Sequence, residues 1–243
     1  MAGANDPSRA VRSAQAVRRE DPHALAELTR INLRPIGSPL PLGLLALVPA
    51  GVVLALLQLG ALALDQTRTV ALLLLGFVAP LMLGTAAVAF LARDTVAATA
   101  LGLFGGTWLA TALALLSGRP GMTSPALGVF LLCVAGGMVA LVAGAAFGKL
   151  GPALVIVVGA SRFAVAGLYE LIGSRGLEHA GAILGLCLAA TALYSAVATT
   201  VEDVQGSMKL PMLRRRQARD AIAGSFDAQL ERIEHEAGVR QQL

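Results

Sequence analysis

The residues able to do chemistry are few, and most of them cluster in one apolar stretch. Arg162 lies inside the run from Gly151 to Gly173. At a rise of about 1.5 Å per residue it sits roughly 16 Å from the start of that run, near the middle of a bilayer. A guanidinium stays charged there, is expensive to hold in hydrocarbon, and normally faces a bundle interior or a wet cavity. It reads either as an anion attractant along a pathway or as a structural arginine bonded to carbonyls or snorkelling. Glu170 follows about 12 Å and 80° further along the same helix, too far for a direct pair. It reads as a proton acceptor in coupled transport or as an interfacial residue in water. Tyr169 shares the Arg162 stripe more closely. Glu178 and His179 sit at the outer mouth, where a lone histidine at a helix start reads as a surface residue. Cys133 and Cys187 lie in apolar runs without CxxC spacing or a nearby histidine and read as packing thiols. No nucleotide loop, dinucleotide fingerprint, HExxH or nucleophile elbow is present, so neither an enzyme nor a bound cofactor or metal is expected.

These side chains need apolar elements to carry them. The 243 residues are 56% hydrophobic and only 14% charged, with a mean hydropathy of +0.72. Soluble domains keep about a quarter of their residues charged. The charge concentrates in 1–35 and 202–243. The expected organisation is therefore a cytoplasmic N-terminal tail with a short amphipathic helix (1–35), a transmembrane domain (36–204), and a basic, amphipathic cytoplasmic C-terminal tail (205–243). The surplus of Lys and Arg reads as orientation bias rather than as a nucleic-acid footprint.

A span takes about 20 apolar residues. Such runs extend over Ser38–Leu64, Thr69–Ala92, Thr95–Gly118, Pro125–Gly148, Gly151–Gly173 and His179–Val201. They are continuous rather than alternating, so the spacing predicts an all-α membrane protein, six helices in one bundle. The first run lies behind an arginine-rich tail and reads as a retained span rather than a leader. With both termini cytoplasmic, Arg30, Arg34, Arg93, Lys149, Lys209, Arg214, Arg215, Arg216 and Arg219 face inward. Only Arg68, Arg119 and Arg175 then face outward.

Small residues recur at fourth positions: Gly136, Ala140, Gly144 and Gly148 on span four, Gly102 and Gly106 on span three, Gly181, Gly185 and Ala189 on span six. In lipid, close approach through small faces supplies the packing, and the span-four stripe is expected to be an interface. Pro49 and Pro80 should kink or break spans one and two. In the tails, Asp21-Pro22 reads as a helix start, and Ile222, Phe226, Leu230 and Ile233 form an apolar stripe that could lie on anionic headgroups or dock a cytoplasmic partner.

The stretch Ser38-Pro39-Leu40-Pro41-Leu42-Gly43-Leu44-Leu45-Ala46-Leu47 matches N-P-A-P-L-G-L-x-G-F. Further on, Phe104-Gly105-Gly106-Thr107-Trp108 is similar to Y-G-S-F-W, and Gly128-Val129-Phe130-Leu131 is similar to G-V-Y-L. Asp203 to Pro211 follows E-x-x-G-x-x-x-L-P with Asp for Glu. In this order the motifs resemble the acetate uptake transporter family of the SatP/YaaH type, over about residues 38–213. The resemblance implies a homo-oligomer, typically a hexamer, with a narrow path for small monocarboxylates through each subunit. It implies a neck at Leu47 and Phe104, with a third position near Gly159–Ser161. Ser38 replaces the motif Asn, and the neck has lost a ring and a hydroxyl while Arg162 is gained nearby.

Three functions are consistent with these residues. The first is a transporter or channel for a small carboxylate anion, passive or proton-coupled, in the cell membrane. Its expected pathway residues are Ser38, Leu47, Phe104, Trp108, Arg162, Tyr169 and Glu170, with Pro39, Pro41, Leu42, Gly43 and Leu44 as the family motif. The second is a channel for a neutral solute such as urea or an amide. The third is a membrane scaffold that recruits a partner through its tails.

Overall fold

The computed structural model describes residues 37–145 and 150–205. Both tails, with their expected helices, and Gly148 and Lys149 lie outside the described residues. The described residues hold six helices long and apolar enough to cross a membrane. They run Leu40–Gln58, Leu64–Leu91, Thr95–Ser117, Pro125–Ala145, Leu150–Ile172 and Arg175–Gln205. The architecture is that of an all-helical, six-span membrane protein, with no strand among the described residues.

Several boundaries differ from the expected runs: span two starts at Leu64 rather than Thr69, span six runs on to Gln205, and two others have a clear local reason. Span one stops at Gln58 rather than Leu64 because Gly60 takes a left-handed conformation, φ 74°, and ends the helix. Span six starts earlier, at Arg175, so Glu178 lies in its first turn and His179 follows on the same helix. Hydropathy missed this start because the first turn is polar while its backbone is already helical.

The prolines act differently. Pro41 lies in the first turn of span one, where an amide donor has no intrahelical acceptor to lose. Pro49 lies inside span one, whose helix continues from Leu40 to Gln58. Pro80 cannot donate to the carbonyl of Gly76, and the second span widens into a π-helical turn over Leu74–Val78 just before it. Spans two and three are joined tightly through Arg93, which has φ 57°, and Asp94, whose carboxylate accepts from the Ala97 amide at 3.0 Å.

Each span packs on its neighbours in sequence, and span six returns to pack against span one. The crossings are made where side chains are absent. A Cβ at Gly51 would lie 2.5 Å from the Gly185 carbonyl oxygen, joining spans one and six. One at Gly128 would lie 2.9 Å from the Gly167 carbonyl oxygen, joining spans four and five. In hydrocarbon, such backbone approach replaces the hydrophobic drive available in water. The small residues of span six thus serve packing within the bundle. On span four, Gly136 meets nothing within 4 Å and faces outward, and Ala140 is exposed.

Candidate functional site

The middle of the bundle holds an aromatic cluster. Phe104 and Trp108, one turn apart on span three, both face the interior and are 1% exposed. Each packs on Phe163 of span five at a centroid distance of 5.7 Å. The Phe163 contact with Trp108 is edge-on at 67°, a favourable arrangement for rings with negative faces and positive edges. The Phe104 ring fills the space left by the missing side chain of Gly159, again on span five.

Leu47 approaches from span one at the same level. Gly43 packs against Leu101 and Thr85, where a Cβ would lie 2.5 Å from Leu101 Cδ2 and 3.0 Å from Thr85 Oγ1. One helical turn further along each of two parallel spans come Leu47 and Phe104. Leu47 is fully buried, and Leu47, Phe104, Trp108 and Phe163 belong to one hydrophobic core. The polar atom in this cluster is the Trp108 Nε1 donor, buried with no hydrogen-bond partner among the described residues.

Arg162 precedes Phe163 and therefore points elsewhere, about 100° around the helix. It is 2% exposed and lies against spans one and six. Its Nη2 donates to Gln58 Oε1 at 2.8 Å. Its Nε and Nη1 have no partner among the described residues.

The remaining candidates lie near the ends. Glu170 Oε2 accepts from the Ser124 amide at 2.6 Å. Ser124 directly precedes the span-four helix, so the carboxylate caps its positive end. Tyr169, half-buried, lies beside Glu178 of span six. Ser38 is exposed ahead of span one. Pro39 takes the cap position, Leu44 is buried, Leu42 is half exposed, and Pro41 and Gly43 act as described above. The structure therefore gathers Leu47, Phe104 and Trp108 in one core. Arg162 stands beside them on another face of span five, while Ser38, Tyr169 and Glu170 stand apart.

Sequence reasoning passed over Phe163 and Gln58. Phe163 is the neighbour of the residue that drew attention. Gln58 carries a signal in retrospect, as an isolated amide at the end of an otherwise apolar helix.

A six-span bundle with a cluster of three aromatic side chains and one arginine turned inward has the form of a membrane channel or transporter. The sequence matches the GPR1/FUN34/yaaH family over residues 23–214, and the chain belongs to that family. A solved structure, that of the bacterial acetate channel SatP, is similar in fold with a TM-score of 0.65. The two are 23% identical, and the likeness covers 73% of this chain and 99% of that one. No curated protein matches the chain.

Proposed function

We propose that the protein carries acetate or a similar small monocarboxylate across the cell membrane, through a path within each protomer that narrows at Leu47, Phe104 and Phe163. The observation that carries this reading is the buried cluster of Phe104, Phe163 and Trp108, within the residues that the family match covers. In this reading Phe163 serves as the third neck residue, expected near Gly159–Ser161, while Gly159 receives the Phe104 ring.

An apolar neck favours small permeants, because each must shed water and few polar groups replace it. Trp108 offers its free indole N–H to a carboxylate at that point. Passage requires the Phe104 ring to swing away from Gly159, since both Phe104 and Leu47 are buried. Catalysis has no part in this reading. The termini face the cytoplasm, by the basic bias of the inward-facing ends. Protomers assemble as a homo-oligomer through the outward span-four face, where Gly136, Val139 and Ala135 line an apolar groove with Val157, Ala160 and Ser161 of span five.

The test is uptake of labelled acetate by proteoliposomes, with urea as the neutral control. Acetate should enter well above empty vesicles and urea should not. Entry of urea alone would favour a neutral-solute channel, and entry of neither would favour the scaffold role.

A further inference from the structure

The surroundings of Arg162 give its charge no anionic partner among the described residues. Arginine cannot be neutralised by deprotonation inside a protein. Its hydrogen bond here goes to a neutral carboxamide, Gln58 Oε1, which offsets none of the charge. A guanidinium left with unpaired donors in hydrocarbon is a severe burden for a fold to retain. Nonetheless it is accommodated closely. Gly181 and Gly185, one turn apart on span six, make a notch for it: a Cβ at Gly181 would lie 2.7 Å from Nη1, and one at Gly185 3.1 Å from Nε. The Gly185 position also abuts Ala55 of span one, with its Cβ 3.6 Å away.

The orphaned atoms define the missing partner. A guanidinium offers two fork edges, Nε with Nη2 and Nη1 with Nη2, and each matches the two oxygens of a carboxylate. Each edge here contains an unpaired nitrogen, and Gln58 occupies Nη2 alone. The approach is short, since Gly181 lies about 9 Å along span six from its start at Arg175. Gln58 is only partly buried, and Leu59, Gly60 and Ala61 beyond it are exposed. Gln58 thus links the guanidinium to the solvent at that end of the bundle, and its amide nitrogen remains available as a further donor.

We propose that Arg162 and Gln58, seated in the notch of Gly181 and Gly185, form a carboxylate-binding subsite between spans one, five and six, entered from the end where span one stops. The subsite rests on the carboxylate reading for its ligand. It adds the step at which the anion is selected ahead of the apolar neck. A fork prefers a planar carboxylate to a spherical chloride of equal charge, and a charged site prefers either to a neutral amide.

The test uses the purified full-length chain and two readouts. In detergent, melting is compared in sodium acetate and sodium chloride of equal ionic strength. In liposomes, flux of acetate is compared with that of formamide. The unaltered protein should melt higher in acetate. Arg162→Lys keeps the charge but loses the fork, and should erase the acetate–chloride difference. Its acetate flux should fall about tenfold, the loss of one charge-assisted hydrogen bond, with formamide flux unchanged. Gly181→Ala, which keeps Arg162 and crowds Nη1, should act in the same direction and decides the matter if the lysine variant does not fold. An acetate–chloride difference absent from the unaltered protein, or retained in either variant, overturns the subsite. Acetate flux insensitive to both changes removes the subsite and leaves the transport reading standing. Arg162-dependent stabilisation by acetate without any acetate flux does the reverse.

Discussion

A Cβ built at Gly51 would meet the Gly185 carbonyl oxygen at 2.5 Å and Ala189 Cβ at 3.2 Å, and neither can turn aside as a flexible side chain could. Gly51→Ala should therefore destabilise the bundle by about 1–3 kcal/mol, the usual range for overpacking a close contact. Gly84→Ala is the control, because nothing lies within 4 Å of that position. It should be neutral or stabilising by up to about 1 kcal/mol, the helix preference of alanine over glycine. Thermal melts in one detergent separate the two, and equal losses would mean that the Gly51 crossing does not govern stability. The same scale explains Glu170. Its carboxylate caps the start of span four through the Ser124 amide at 2.6 Å, so Glu170→Ala should cost about 1 kcal/mol. Acetate flux measured in that variant asks whether the residue has a transport role beyond the cap.

The elements show where one change alters a whole helix. The π-helical turn Leu74–Val78 precedes Pro80, which has no amide hydrogen for the ladder. Pro80→Ala supplies the donor and should allow a regular helix, seen as slower amide exchange from about residue 78 to 82. Unchanged exchange would place the cause of the turn in packing against span three. Span four differs from span six although both carry glycines at fourth positions. Gly185 is covered by span one, whereas Gly136 has open space and lines a groove of about 480 Å³ with span five. A side chain filling that groove, Gly136→Leu, should weaken the proposed oligomer on native gels without affecting insertion. An oligomer that survives it assembles through another face.

At the scale of the whole molecule, six spans place both tails on the same side of the membrane. The proposed side is the cytoplasm, by the bias of the basic residues. In a background lacking Cys133 and Cys187, cysteines at Ser8 and Gln241 should both resist an impermeant thiol reagent in intact cells. Labelling of both would invert the topology, and labelling of one would require an odd number of spans. The packing of span six on spans one and five also makes Arg162 dependent on all three of those helices, since its surroundings come from Gln58, Gly181 and Gly185.

The six helices and the family were legible in the linear order of residues, because hydrocarbon demands long uninterrupted apolar runs and the motifs are local strings. The depth of Arg162 followed in the same way, from rise per residue. What faces what could not be read so directly. Nearly every position of these spans is apolar, so no polar face marks the side turned inward, and a glycine stripe looks alike whether covered or open. Only the tertiary structure separated Gly185 from Gly136, brought Phe163 as well as Gly159 against Phe104, and joined Arg162 to Gln58 from a distant span. It also made Glu170 a cap, a role that depends on the start of span four arriving beside span five. In a membrane domain, apolar composition determines that a segment is a span, while steric fit between segments determines where its few polar atoms end up.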